Sequence, residues 1–283
     1  MTTEGDSGGA IRRVIVLVDA PAASVAALRE AATLASRRDA ELLGLFVEEE
    51  DLLRSAGLPF AREIGPTSTA LRRVDAARME RRLRARARDI RRTLEGLARS
   101  HAIAGTLQVA RGRVMPQVLA AAAAGDLIVV GKSGWSPLRR GRLGSTARQL
   151  IDEASLTVMV LEQAAGAAVR PTLALFDHPE AGRRALAVAA QIAQRDGHAL
   201  TVLVPGGDPA AAAELHRRAE GWLAEHGLEA AVQTTDGGPE ALARAMGASG
   251  GHILVVSRAG PVMAGGAGDR VLERLATPVV VVP

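Results

Sequence analysis

Short apolar runs recur along the chain, and the stretches between them carry apolar residues three and four positions apart. The runs at 13–19, 40–47, 106–110, 127–130 and 156–161 read as strands, and the intervening stretches at 22–38, 115–124 and 145–153 as helices. A longer helix ends at Ser100, with Leu83, Ala87, Ile90, Leu94 and Leu97 marking one face. Residues 48–69, acidic and then rich in Gly and Pro, read as an irregular connection. Continuously apolar strands alternating with amphipathic helices predict an α/β fold, with a parallel sheet covered on both faces.

After an Ala- and Gly-rich stretch at 163–169 the same order returns. Strands are predicted at 172–177, 199–204, 230–234, 253–256 and 279–282, and helices at 180–195, 209–226, 239–248 and 267–275. Val18-Asp19 matches Phe176-Asp177, the run 126–130 matches 252–256, and the closing strands match each other. The chain is therefore an internal duplication. Residues 1–10 are expected to be a disordered polar leader, 11–163 a first domain, 164–170 a linker and 171–283 a second domain. The closing strands lie at sheet edges, where they could pair within one chain or between two.

Composition narrows the function classes. No cysteine is present, which removes disulfides, thiolate catalysis and cysteine metal sites and fits a reducing cytosol. The first apolar run is too short for a signal-peptide core, and nothing approaches the ~18 apolar residues of a membrane span, so a cytoplasmic protein is expected. The sequence pI of 10.8 reflects arginine bias, because net charge is only +4 and Lys132 alone among the 35 basic residues is not arginine. The first 165 residues carry 25 basic and 19 acidic side chains, the remainder 10 and 12. Eleven arginines lie between Arg72 and Arg99, but Glu80, Asp89 and Glu95 interleave with them. That pattern reads as a solvated helix face, and nucleic acid is not an expected partner. The six histidines show no metal-ligand spacing.

The chemistry-bearing stretch is 126–145. An apolar run ends at Gly131, a basic glycine-containing loop follows, and Gly144-Ser145-Thr146 opens a helix. Glycines that let backbone N–H groups approach an anion, placed beside a helix N-terminus, are the parts of a phosphate cradle. Gly131-Lys132-Ser133 is not a P-loop, because Asp126 stands where that motif needs its first glycine and a strand replaces its loop. No dinucleotide fingerprint follows either first strand.

The spacing Gly131-x2-Gly134-x9-Gly144-Ser145 after a fourth strand, with Val18-Asp19 after the first, resembles the universal stress protein family. The resemblance spans both halves, so the chain looks like a tandem member. It implies two Rossmann-like domains, each a five-stranded parallel sheet of order 3-2-1-4-5, with ATP (and Mg²⁺) bound beyond the strand C-termini. Carried over, Asp19 and Val47 would border the adenosine, and Gly131 and Gly134 would lie against ribose and phosphates. Gly144, Ser145 and Thr146 would hold the phosphates. Lys132, Arg139, Arg140 and Arg142 add positive charge next to the expected triphosphate, in roles that the family motif does not fix.

The second half departs from the motif. Ser257 stands in place of Gly131, and the spacing reaches either Gly265-Gly266 or Gly268-Asp269 too early. It is expected to keep the fold, lose the ligand and serve as an internal partner. The resemblance implies an ATP-responsive stress or regulatory protein. A nucleotide-free interaction module and a weak ATP hydrolase are the alternatives, although no carboxylate lies in the loop and no general base can be named.

Overall fold

The computed structural model describes residues 11–18, 21–50, 54, 62–64, 71–73, 75–132, 142–162, 171–235, 239–249, 253–275 and 277–283. The sequence-expected disordered leader and linker, and the positions Asp19, Gly134, Arg139 and Arg140, lie outside them.

The first half runs β1 (Arg13–Leu17), α1 (Pro21–Arg37), β2 (Glu41–Glu49), β3 (Arg62–Ile64), β4 (Leu71–Arg73), α2 (Ala76–Ser100), β5 (Gly105–Gly112), α3 (Val114–Ala121), β6 (Asp126–Gly131), α4 (Ser145–Glu153) and β7 (Thr157–Leu161). The second half runs β8 (Thr172–Leu175), α5 (Pro179–Asp196), β9 (Leu200–Pro205), α6 (Pro209–Glu225), β10 (Ala230–Thr235), α7 (Pro239–Ser249), β11 (Ile253–Ser257), α8 (Ala267–Arg274) and β12 (Val279–Val282). Ten of these strands form one sheet, ordered β10-β9-β8-β11-β12-β7-β6-β1-β2-β5. Each half contributes five parallel strands in the order third, second, first, fourth, fifth, as expected.

The halves meet where β7 pairs antiparallel with β12, through Val160 with Val279, Met159 with Val280 and Val158 with Val281. The two closing strands therefore satisfy each other inside the chain, and the outer edges are β5 and β10. Side chains alternate through the sheet. Val14, Val16 and Phe46 lie on the face covered by α1, α2, α5 and α6, whereas Ile15, Leu45, Ile128 and Val160 lie on the face covered by α3, α4, α7 and α8.

Sequence reading missed two features. The stretch expected to be irregular contains β3, which pairs antiparallel with β4 just beyond it, and Arg72 and Arg73 lie on β4 instead of the long helix. That helix starts at Ala76, capped by the Asp75 carboxylate, which accepts from the Arg78 N–H at 3.1 Å. Helix α3 ends at Ala121, three residues short of the expectation. The Asp126 carboxylate accepts from the Ala123 N–H at 2.8 Å and so turns the chain into β6.

Asp126 is also paired with Arg13 on β1, at 2.6 and 3.3 Å, and the same guanidinium donates to the Ala121 carbonyl at 2.8 Å. The Asp126 side chain is 4% exposed and that of Arg13 28%. The hydrogen bond to Asp126 raises the Arg13 pKa above the ordinary arginine value, against a smaller effect of burial. The pair ties β1 to β6 at the N-terminal end of the sheet, opposite the cradle.

Asp126→Ala is expected to destabilise the chain by about 2–3 kcal/mol, because it strands a half-buried guanidinium and the Ala123 N–H together. Asp126→Asn, which keeps an acceptor, should cost about half as much. Urea denaturation of both variants measures the difference.

Candidate functional site

In an open parallel sheet, the strand order reverses where the first strand lies between the second and the fourth, and a crevice opens beyond the strand C-termini. Here β1 lies between β2 and β6. Val47, near the end of β2, is partly buried on the α4 side of the sheet. Gly131 ends β6. The two strands are separated by β1, hence by about 9–10 Å.

Two backbone hydrogen bonds shape the mouth of the loop. The Lys132 N–H donates to the Leu161 carbonyl at 2.6 Å, and the Gly144 N–H donates to the Lys132 carbonyl at 2.8 Å. The second bond closes the loop across residues 133–143 and returns the chain beside Gly131. Helix α4 starts immediately afterwards, with Gly144 as N-cap in extended geometry and no side-chain cap. Its first intrahelical bond is from the Arg148 N–H to the Gly144 carbonyl. The N–H groups of Ser145, Thr146 and Ala147 therefore precede the helical ladder and carry the positive end of the helix dipole. Ser145 is exposed and Thr146 partly so.

The structure thus brings together Gly131, Gly144, Ser145 and Thr146, with Val47 across the crevice. It changes two expected roles. The Gly144 N–H already serves the loop closure, so Gly144 contributes its backbone path and its missing side chain. Lys132 was expected to add positive charge beside phosphates. Its side chain is 3% exposed, and its ammonium donates to Glu162 Oε2 at 2.9 Å and to the carbonyls of Glu273 at 2.9 Å and Leu275 at 2.8 Å. An ammonium has three donors, and all three are taken. Arg142 is exposed at the loop exit.

The corresponding place in the second half is filled by protein. Asp177, just beyond β8, is buried, and its Oδ2 accepts from the Val262 N–H at 2.9 Å. Gly260 lies so close that a Cβ there would stand 2.4 Å from Asp177 Oδ1. Successive bonds from Gly260 to Ser257, Met263 to Gly260 and Ala264 to Pro261 wind residues 257–264 down onto this carboxylate. Burial pushes the Asp177 carboxyl above the usual range, partly opposed by the Val262 N–H. Gly266 then caps α8 in left-handed geometry at φ 74°, and the first turn of α8 carries Asp269. An anion in that first turn already occupies the electrostatic niche of a phosphate.

Sequence reasoning missed Arg258, Asp269 and Glu273 as neighbours of the first-half site. The Arg258 N–H donates to the Val282 carbonyl at 2.8 Å, repeating the bond of Lys132 to Leu161. The position directly after the fourth strand of each half was the available signal. Among the described residues no group of three or more His, Asp or Glu could hold a metal ion, and no helix is long and apolar enough to cross a membrane.

Residues 10–162 match the sequence model of the universal stress protein family. A universal stress protein from Archaeoglobus fulgidus DSM 4304 superposes with a TM-score of 0.74 at 18% identity, covering 95% of this chain and 97% of that one. A putative universal stress protein from Pseudomonas aeruginosa UCBPP-PA14 gives 0.62 at 16% identity, over 96% and 93%. The cytoplasmic domain of a prokaryotic cation chloride cotransporter gives 0.51 at 9% identity, over 95% and 94%. Likeness at these identities concerns the fold alone. No curated protein matches in sequence.

The raised Asp177 pKa has a definite consequence for stability. Folding favours the protonated carboxyl, so its contribution is fully present below the unfolded value of about 4 and is lost as pH rises through the higher folded value. Asp177→Asn is therefore expected to raise the denaturation midpoint at pH 7 relative to wild type and to leave it nearly unchanged near pH 3. Urea midpoints across that range measure the effect, and a lower midpoint at pH 7 would contradict it.

Proposed function

The chain belongs to the universal stress protein family, and from that premise we propose that its first half binds ATP at the head of β6, as a nucleotide-responsive stress or regulatory protein. The carrying observation is the loop closure from Gly144 to the Lys132 carbonyl, which delivers an α-helix that starts without a side-chain cap at the switch point of the sheet. Phosphate oxygens there meet the N–H groups of Ser145, Thr146 and Ala147 and the hydroxyls of Ser145 and Thr146. Gly131 allows close backbone approach, and Val47 offers an apolar surface to the base. By the family resemblance, Asp19 and Gly134 complete the pocket.

In this reading the second half is a degenerate copy that supports the first and takes no nucleotide, because residues 257–264 fold onto Asp177. Binding acts through population shift, to the extent that ATP favours one arrangement of the loop over another. The chain is a binder and not a dedicated hydrolase. Mg²⁺ would accompany the nucleotide through its phosphates, as it commonly does.

Gly144→Asp provides a test in which binding and folding move in opposite directions. The N-cap has extended geometry that aspartate accepts, and a carboxylate there caps α4 better than glycine by a few tenths of a kcal/mol. The same carboxylate occupies the place of the phosphates. Calorimetric titration with Mg²⁺–ATP should give one site per wild-type chain and a loss of about 100-fold or more in the variant, with thermal stability maintained. Absence of saturable binding to the wild type would defeat the reading, as would two sites per chain for the second half.

A further inference from the structure

The bonds made by Lys132 have a counterpart running the other way. Arg258, in the second half, donates from one guanidinium nitrogen to the carbonyls of Ala154 at 2.6 Å, Asp152 at 3.3 Å and Ile151 at 3.4 Å. Ala154 is the C-cap of α4, as Leu275 is the C-cap of α8. Each basic residue follows the fourth strand of its own half, crosses the seam, and covers the C-cap carbonyl and the carbonyl two residues before it on the other half's last helix. A cation at a helix C-terminus satisfies carbonyls that have no intrahelical partner and opposes the negative end of the dipole.

The helix that receives Arg258 is the one whose first turn forms the proposed phosphate site. Two more contacts from the second half reach it or its approach. Arg148 on α4 pairs with Asp269 on α8 at 2.8 Å, and the Leu143 N–H, one residue before the N-cap, donates to Glu273 Oε1 at 3.4 Å. Helix α4 has nine residues, about 13 Å of length, and is too short to hold its own direction. Ala147, Leu150 and Ile151 seat it on the sheet, and the second half holds its far end.

We propose that Arg258 is a positioning residue for the first half's nucleotide site, clamping α4 from the second half so that its N-terminal amides face the phosphates, with Lys132 making the reciprocal cap on α8. The proposal rests on the nucleotide reading given above. It makes the second half a working part of the site. A lone first half would keep Gly131, Gly144 and Ser145 but lose the grip on α4.

The test uses the full chain with Arg258→Met, Arg258→Lys and Lys132→Met, followed by hydrogen exchange of the α4 amides and by calorimetric titration with Mg²⁺–ATP. In Arg258→Met the α4 amides should exchange about tenfold faster while those of α1 and α6 stay unchanged, and ATP affinity should fall about three- to tenfold. Arg258→Lys, which keeps a charge and donors, should recover most of both. Lys132→Met takes the ammonium away from Glu162; the two Arg258 variants carry the test should it fail to fold. Unchanged α4 exchange in Arg258→Met overturns the clamp. Loosened α4 with unchanged affinity overturns the positioning role and leaves Arg258 a purely structural residue. A wild-type chain that binds no ATP overturns the nucleotide reading itself and the positioning role with it, an outcome separate from a wild type that binds and a variant that binds equally well.

Discussion

The pairing of β7 with β12 is the constraint on which the rest of the molecule depends. Without it there are two five-stranded sheets, each with an edge of unpaired N–H and C=O groups on a continuously apolar strand, a configuration prone to association. With it the apolar faces of both sheets become shared layers. The α4–α8 contact follows from the register: Met159 faces Val280, its own counterpart, so an approximate twofold axis passes through that pair. Everything near the axis is then presented twice, once from each half. Lys132 and Arg258 are the clearest instance.

The two halves differ most in the connection that follows their fourth strand. In the first half twelve residues lie between Gly131 and Gly144, and the Gly144 N–H donates to the Lys132 carbonyl. In the second half the connection from Ser257 to Gly266 is shorter, and its turns carry the chain onto Asp177, where only glycine fits at position 260. Beneath these loops the strands superimpose in order and direction. The fold is carried by the apolar runs, and the difference in chemistry by about ten residues after the fourth strand.

Much of this was legible in the chain. Apolar runs such as 127–130 and 253–256 locate the strands because a sheet buried on both faces needs them continuous. Gly144-Ser145 locates the start of α4 because glycine and serine are common where helices begin. Other features depend on partners remote in sequence. Lys132 looks like a free charge beside a phosphate loop until its ammonium is seen on carbonyls 141 and 143 positions away. The early end of α3 depends on a carboxylate five residues beyond it that also serves Arg13. The β3–β4 hairpin has strands of three residues, too short for alternation to register. Arg258 carries no motif, and only its equivalence to Lys132 gives it meaning.

The ion pair between Arg148 and Asp269 lies close to the approximate axis, where a residue faces its own counterpart. Two identical chains joined through the same strands would set arginine against arginine there, or aspartate against aspartate, and the contact would be repulsive. Joining both copies in one chain removes that restriction: each side of the seam can change alone, and opposite charges can occupy the axis. The pair is in that sense a signature of covalent linkage. It specifies this half against that half, and it disfavours either half mating with another copy of itself.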